Sequence, residues 1–381
     1  MDRYEQNLQT LIDKVEGRLD ISWEDVRDQI GADIHEDSLR KAFATTEYGG
    51  YSVAKYLMNK TANELTDDML ARLQHKKNEE YKERVRLQDA RREYNKELRA
   101  EARYENLVEV MKEQIQNLPK LTLHHFEHKR QTGIKAALLV SDLHYGATSD
   151  NVLNIYNVDV CKERMQILLD KTIEYCTIHR VDELFVNLGG DLVSGLIHIS
   201  GRVEQEEDVI SQTMQVAELL SNFISALSDK IPNIHVVGVQ GNHSRVSADK
   251  KQDFNPENFE RIVFEYISNR LDMPVMRNGL EDWIAYNIGG RKVFLEHGDK
   301  SSMSNAREHA MNMLGYAPDD IFIGHMHHME VVDDCGTDIV MNGSVMGVDA
   351  YAMKRRLNAK PYQILRVYDN EDVCTYKVML T

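Results

Sequence analysis

Residues that build covalent or rigid frameworks are scarce in this 381-residue sequence, which has four cysteines and six prolines. Cys161, Cys176, Cys335 and Cys374 lie far apart, with no C-x-x-C pair, which excludes a disulfide framework and a thiolate zinc site. Long hydrophobic runs are missing too, since none reaches the ~18 consecutive apolar residues of a membrane span. The opening MDRYEQNLQT lacks the basic and apolar regions of a secretion signal. A cytoplasmic chain with no membrane partner is therefore expected. Positive charge is also in short supply, with 46 Lys and Arg against 62 Asp and Glu, a net charge of −16. That balance argues against a basic surface that coats nucleic acid. Its distribution is uneven: residues 1–72 carry −6, residues 73–120 carry +2, and residues 121–381 carry −12. Asp clusters that hold divalent cations also make a chain formally acidic, so the sign leaves phosphate substrates open.

What is present falls into three zones, 1–60, 61–120 and 121–381. In the first, Ser22 with Asp25 three residues on reads as an N-cap opening a helix with Trp23, Val26 and Ile30 on one face. Gly31 ends it, and a second helix from about Glu36 to Ala44 turns Leu39 and Phe43 inward. This pattern fits a helix-turn-helix that contacts nucleic acid through Arg40 and Lys41, or a small helical protein-interaction domain. Residues 62–118 contain neither Gly nor Pro and are dense in Glu, Lys, Arg and Gln, with opposite charges three or four apart. They predict one long exposed helix: a solvated face, a basic arm along DNA or a dimerising coil.

Beyond Pro119, short apolar runs alternate with amphipathic segments, which predicts an α/β domain. Strands are expected at 135–143, 184–188, 235–239, 283–288, 293–296, 321–323 and 339–341. Helices are expected near 159–179, 203–228, 256–271 and 303–314, and a closing hairpin at 362–368 and 373–379. Five of these strands end in residues that carry chemistry: Asp142-Leu143-His144, Gly190-Asp191, Gly241-Asn242-His243, His297-Gly298 and Gly324-His325-Met326-His327. The carboxyl ends of strands in open α/β sheets converge on the ligand site. A nitrogen and oxygen donor set without thiolate suits first-row divalent cations. Seven or eight donors exceed the needs of one ion, so two cations sharing a carboxylate is the simplest count. Such a pair can clamp a phosphoryl group and generate a hydroxide that attacks phosphorus.

The order of these motifs resembles the calcineurin-like metallophosphoesterase superfamily, over about residues 134–345, and looks most similar to its DNA-repair exonuclease branch. Asn342-Gly343-Ser344 fits the family's closing turn. The resemblance implies an α/β/β/α sandwich, here preceded by an all-α region. It implies a first metal on Asp142, His144 and His327, a second on Asn242, His297 and His325, and Asp191 as the bridge. His243 would be catalytic, contacting phosphate and protonating the leaving oxygen. The cations implied are two, Mn foremost, with Fe, Zn, Ni or Mg as alternatives. One departure stands out: the family commonly has Asp or Glu where this chain has Ser244, so another acid would have to orient His243, or protonation by it is weaker.

Further candidates for substrate contact are Arg245, His198, Arg202, Tyr145 and Lys300. Arg245 reads as a phosphate ligand or a surface arginine, and His198 and Arg202 as cleft or solvated loop residues. Tyr145 would stack on a base or pack, and Lys300 would meet phosphate or water. The function expected is a two-metal phosphodiester hydrolase acting on nucleic acid as a DNA nuclease, with a homodimer suggested by the branch it resembles. The alternative is a phosphatase or phosphodiesterase for a small molecule, cyclic nucleotide or phosphoprotein, with the N-terminal region as an interaction module.

Overall fold

The computed structural model describes residues 3–44, 50, 67–123, 132–196, 207–246, 257–279, 281–349, 352–353, 356 and 360–381. His198 and Arg202 lie outside them. The chain divides into two compact units, Met1–Lys96 and Glu97–Thr381.

In the first unit, α1 (Arg3–Val15), α2 (Trp23–Ile30) and α3 (Glu36–Ala44) enclose a small core of Leu11, Val26 and Leu39. The predicted cap of α2 is present. The Ser22 hydroxyl accepts from Asp25 N–H, and the Asp25 carboxylate accepts from Ser22 N–H. Gly31 ends the helix in the left-handed region, at φ 67°, where a side chain would be strained. On α3, Arg40 pairs with Asp37 at 3.2 Å, so that part of the positive charge is answered within its own helix. The long helix α4 runs from Asp67 to Gln116. It is exposed along most of its described length, as its polar composition dictates. Its final turns depart from that expectation, because Met111 and Ile115 are buried in the core of the second unit.

That unit is built on two sheets. The first has the order β13-β12-β1-β4-β5-β6, where β1 is Lys135–Val140, β4 Glu183–Leu188, β5 Asn233–Gly238, β6 Val275–Met276, β12 Tyr362–Asp369 and β13 Asp372–Met379. The second has the order β10-β11-β9-β8-β7, where β7 is Trp283–Ile288, β8 Arg291–Glu296, β9 Asp320–Ile323, β10 Glu330–Asp334 and β11 Thr337–Met341. Ala137, Leu139, Phe185 and Val237 of the first sheet pack with Ile284, Leu295, Phe322 and Val340 of the second, so the sheets lie face to face. The outer face of the first sheet is covered by α5 (Val158–His179), α6 (Val209–Ser228) and α7 (Phe259–Leu271). The outer face of the second packs on α8 (Ala306–Leu314) through Ala306 and Ala310. The layers run helix, sheet, sheet, helix, as expected. The strands β1, β4, β5 and β6 are parallel, which brings the carboxyl ends of the first three to one edge. The parallel β8, β9 and β11 do the same in the second sheet.

The predicted strands appear within a few residues of their expected ends. The closing hairpin pairs Asp369 with Asp372 across a two-residue loop, with Asn370 at φ 55°. The small hairpin of β2 (Ser149–Asn151) and β3 (Asn154–Tyr156), the two-residue β6 and the acidic edge strand β10 were not anticipated. None of them carries a recognisable apolar alternation. Among the described residues, no helix is long and apolar enough to cross a membrane.

Candidate metal centre

The five predicted strand ends meet in one place. Past β1 and β4 the chain continues as a pair of loops held backbone to backbone. Asp142 N–H donates to Gly190 O at 3.0 Å, His144 N–H to Asp191 O at 2.9 Å, and Tyr145 N–H to Leu192 O at 3.0 Å. The second sheet joins through His325 N–H, which lies 3.1 and 3.2 Å from the two oxygens of Asp142.

Asp142, His144, Asp191, His325 and His327 all adopt positive φ, between 46° and 65°. Such conformations are strained for residues with a Cβ, and they persist only where the surroundings over-determine them. Their concentration on the predicted donors marks loops shaped to aim side chains. Glycine is obligatory between two of the loops. A Cβ on Gly190 would fall 2.6 Å from Gly241 N, and one on Gly241 would fall 2.1 Å from Asp191 N.

Among the described residues, donor atoms gather in three overlapping groups: Asp142, His144 and His327; His144, Asp191 and His243; and Asp191, His297 and His325. Within each group every pair of atoms lies within 4.8 Å. His144 Nε2 and His327 Nε2 are 3.1 Å apart, and His327 Nε2 is 3.2 Å from Asp142 Oδ1. His297 Nε2 is 3.1 Å from both Asp191 Oδ2 and Asn242 Oδ1, and 3.2 Å from His325 Nδ1. Two ligands about 2.1 Å from one ion, at octahedral to tetrahedral angles, stand about 3.0–3.4 Å apart. The donor spacing and the donor chemistry both fit first-row divalent cations.

Electrostatics points the same way. Burial alone would raise Asp142 and Asp191, but the charges of His327 and His297 outweigh it and hold both carboxyls below their ordinary value. Burial, with the charge of nearby His243, keeps His144 well below the usual imidazole range, and burial with His297 lowers His325. Burial would lower His297 and His327 as well, yet Asp191 and Asp142 raise them. Two buried carboxylates draw positive charge onto the imidazoles that touch them, so the site favours cations, because an uncompensated buried charge is costly. Gly189 O, 2.8 Å from His297 Nδ1, can only accept, so that nitrogen carries the hydrogen and Nε2 faces the centre.

His243 sits beside both donor groups. Its backbone N–H donates to Asp191 Oδ1 at 2.8 Å, and its Nδ1 lies 3.1 Å from Ser194 O. A backbone carbonyl therefore orients the ring. The Ser244 hydroxyl turns to Gly241 O at 2.9 Å. Gly195 allows the close approach, since a Cβ there would fall 1.8 Å from His243 O.

The substrate candidates fare differently. Tyr145 is fully buried in the helix-side core with its hydroxyl donating to Gln215 Oε1, so of its two readings, stacking on a base or packing, the structure has the ring packed. Arg245 is also buried, not a surface residue, and its Nε donates to Asn242 O at 2.9 Å, bracing the turn that carries that donor. Lys300 forms an ion pair with Asp282.

Sequence reasoning missed two supporting residues. Gln363 on β12 accepts Ser141 N–H and an Asn342 Nδ2 hydrogen, both at 2.8 Å, behind Asp142. A glutamine within the apolar run of β12 was the available signal. Glu260, in the first turn of α7, accepts Leu192 N–H and Gly241 N–H, both at 2.6 Å. Burial pushes its carboxyl up to about 7. Nothing local marks it, because an acid in a helix's first turn is commonplace.

The chain is similar to the SPbeta prophage-derived uncharacterized protein YonJ of Bacillus subtilis strain 168, with 25% identity over 369 residues, spanning 92% of this chain and 89% of that protein. Residues 76–118, within α4, match a family model described as the YonJ coiled-coil domain. Solved structures similar to it include a Vps29 mutant from Entamoeba histolytica, at 16% identity over 64% of this chain and 91% of that one, TM-score 0.33. An archaeal phosphodiesterase is similar at 14% identity, over 64% of this chain and 99% of that one, TM-score 0.35. A predicted phosphoesterase from Streptococcus pneumoniae TIGR4 is similar at 12% identity, over 64% and 90% of the respective chains, TM-score 0.29.

Proposed function

We propose that this chain is a metal-dependent phosphoesterase that hydrolyses phosphodiesters, with nucleic acid as its substrate. Asp142, His144 and His327 would hold one divalent cation, Asn242, His297 and His325 a second, and Asp191 would serve both. The observation that carries this reading is the meeting of seven nitrogen and oxygen donors, Asp191 among them, from five strand ends. When bound, the cations supply Lewis acidity toward phosphoryl oxygens and toward water. The chain's own part is to aim the donors through strained loops and to keep His243 beside them. With Nδ1 held by Ser194 O, His243 is suited to contact a phosphoryl oxygen and pass a proton to the leaving oxygen.

Support for nucleic acid comes from the exposed helix α4, most of which lies in the one segment of net positive charge, 73–120, and from the helix-turn-helix spacing of α2 and α3. The acidic charge of the other two segments, −6 and −12, supports a second reading: a phosphoesterase for a small molecule or phosphoprotein, with the N-terminal region engaging a protein. A manganese-supplemented assay on labelled single- and double-stranded DNA beside bis-p-nitrophenyl phosphate separates them. Cleavage of DNA that Asp191→Asn abolishes supports the first reading. Hydrolysis of the small diester with DNA left intact supports the second. No metal-dependent hydrolysis of either overturns both.

A further inference from the structure

The loops that carry Asp191 and Asn242 leave the sheet from neighbouring parallel strands, β4 and β5. Their ladder stops at the pair Leu188 and Gly238, followed by one more bond from Val239 N–H to Leu188 O. Beyond it both loops run through buried space, where backbone N–H groups need partners. Leu192, directly after Asp191, and Gly241, directly before Asn242, find theirs in the two oxygens of a single carboxylate, Glu260, each at 2.6 Å. Glu260 is 0% exposed.

From this geometry we infer that Glu260 is a positioning residue whose carboxylate ties the Asp191 loop to the Asn242 loop and so sets the spacing between the two candidate cation sites. The inference rests on the two-cation reading above and assigns this chain's own residue a role in it. Charge-assisted bonds of this length are stronger than neutral ones. The carboxylate is itself fixed. Glu260 N–H donates to Asn258 Oδ1 at 2.9 Å, Phe259 N–H donates to Ser244 O at 2.9 Å, and α7 packs on α6 within the helix-side core. The two loops touch backbone to backbone at Gly190 and Gly241, so any slip between them moves Asp191 relative to Asn242 and His297. His297 Nε2 is 3.1 Å from both, and a shift of a few tenths of an ångström would leave one of them behind.

Glu260→Gln is the informative substitution. It keeps the size of the side chain but replaces one acceptor oxygen with an NH2 donor that faces an N–H. One arm of the tie is then lost. The expected result is a 10–100-fold loss of Mn2+ affinity at one of two sites, in line with the effect of removing an outer partner of a metal ligand.

The test is electron paramagnetic resonance of the Mn2+-loaded full chain, with Mn2+ binding followed by titration. Wild type should show the multiline signal of a coupled Mn pair, and Glu260→Gln the six-line signal of isolated Mn2+. Leu227→Ala, which opens the helix-side core away from the donors, supplies a comparison of lowered stability that should keep the coupled signal. A coupled signal and wild-type affinity in Glu260→Gln would overturn the inference, as would loss of coupling in Leu227→Ala as well. If Glu260→Gln does not fold, the wild-type amide resonances decide. Downfield, slowly exchanging Leu192 and Gly241 amides support the tie, and rapidly exchanging ones overturn it. A wild type that takes up no Mn2+ locates the failure in the two-cation reading itself, and the inference falls with it.

Discussion

His144 Nε2 and His327 Nε2 lie 3.1 Å apart, although 183 residues separate them in the chain and they arrive from different sheets. Burial keeps His144 neutral, while Asp142 raises His327. Two imidazole nitrogens at this distance either share one proton or turn both lone pairs to one cation. A proton and a divalent cation therefore compete for the same position.

Removing one of the pair should empty one site and spare the other. His327→Ala leaves Asn242, His297, His325 and Asp191 in place. Metal analysis after gel filtration from excess Mn2+ should give about one equivalent per chain for this variant, against two for wild type. Two equivalents in His327→Ala would place the first cation elsewhere.

His243→Ala should separate chemistry from metal content. Loss of a general acid typically slows a reaction by about 10²–10⁴-fold. The variant should retain wild-type Mn2+ stoichiometry while kcat falls in that range. A loss of cations that matches the loss of rate would instead make His243 a ligand.

Gly190→Ala should destabilise the second unit by about 3 kcal/mol or more, since it combines φ +86° with a Cβ 2.6 Å from Gly241 N and 2.7 Å from His297 Nδ1. At about 2–4 °C per kcal/mol for a unit of this size, calorimetry should register a fall of about 6–12 °C.

Acid stability should depend in part on Glu218. Burial pushes this carboxyl up, but hydrogen bonds from Arg270 and Tyr266 and the Arg270 charge outweigh it, so the folded value lies below the ordinary one. A depressed carboxyl contributes stability that is present above its unfolded value, about 4.3, and is lost as the pH falls through the folded value. Urea unfolding of Glu218→Gln should show lower stability than wild type at pH 7 and a difference that narrows below pH 4. A constant difference across that range would mean the contribution is packing alone.

Much of this was readable in the sequence. The strands could be found because buried parallel strands are continuous apolar runs, and the donors because glycines and short polar motifs follow those runs directly. The capping box at Ser22 was equally legible. What escaped notice depends on contacts distant in the chain. Glu260 reaches Leu192 across 68 residues, and its helical position looks like that of any acid in a first turn. The final turns of α4 look as polar as the rest until Met111 and Ile115 meet a core that the helix's own sequence does not encode. For Tyr145 the sequence left stacking and packing open, and the strand pairing that continues through Tyr145 and Val193 turns its ring inward.

The antiparallel β12 also bears on the order in which the protein can be completed. A chain lengthening from its N-terminus presents all seven donors once residue 327 has been made. Ser141 and Asn342, however, wait for Gln363, which is 222 residues beyond Ser141. A nascent chain halted before Tyr362 would carry every ligand yet lack the strand that seats Asp142, and β1 would present an unpaired edge to other chains. On the proposed metal reading, firm cation uptake waits on β12, which seats Asp142, and not on the synthesis of the last donor.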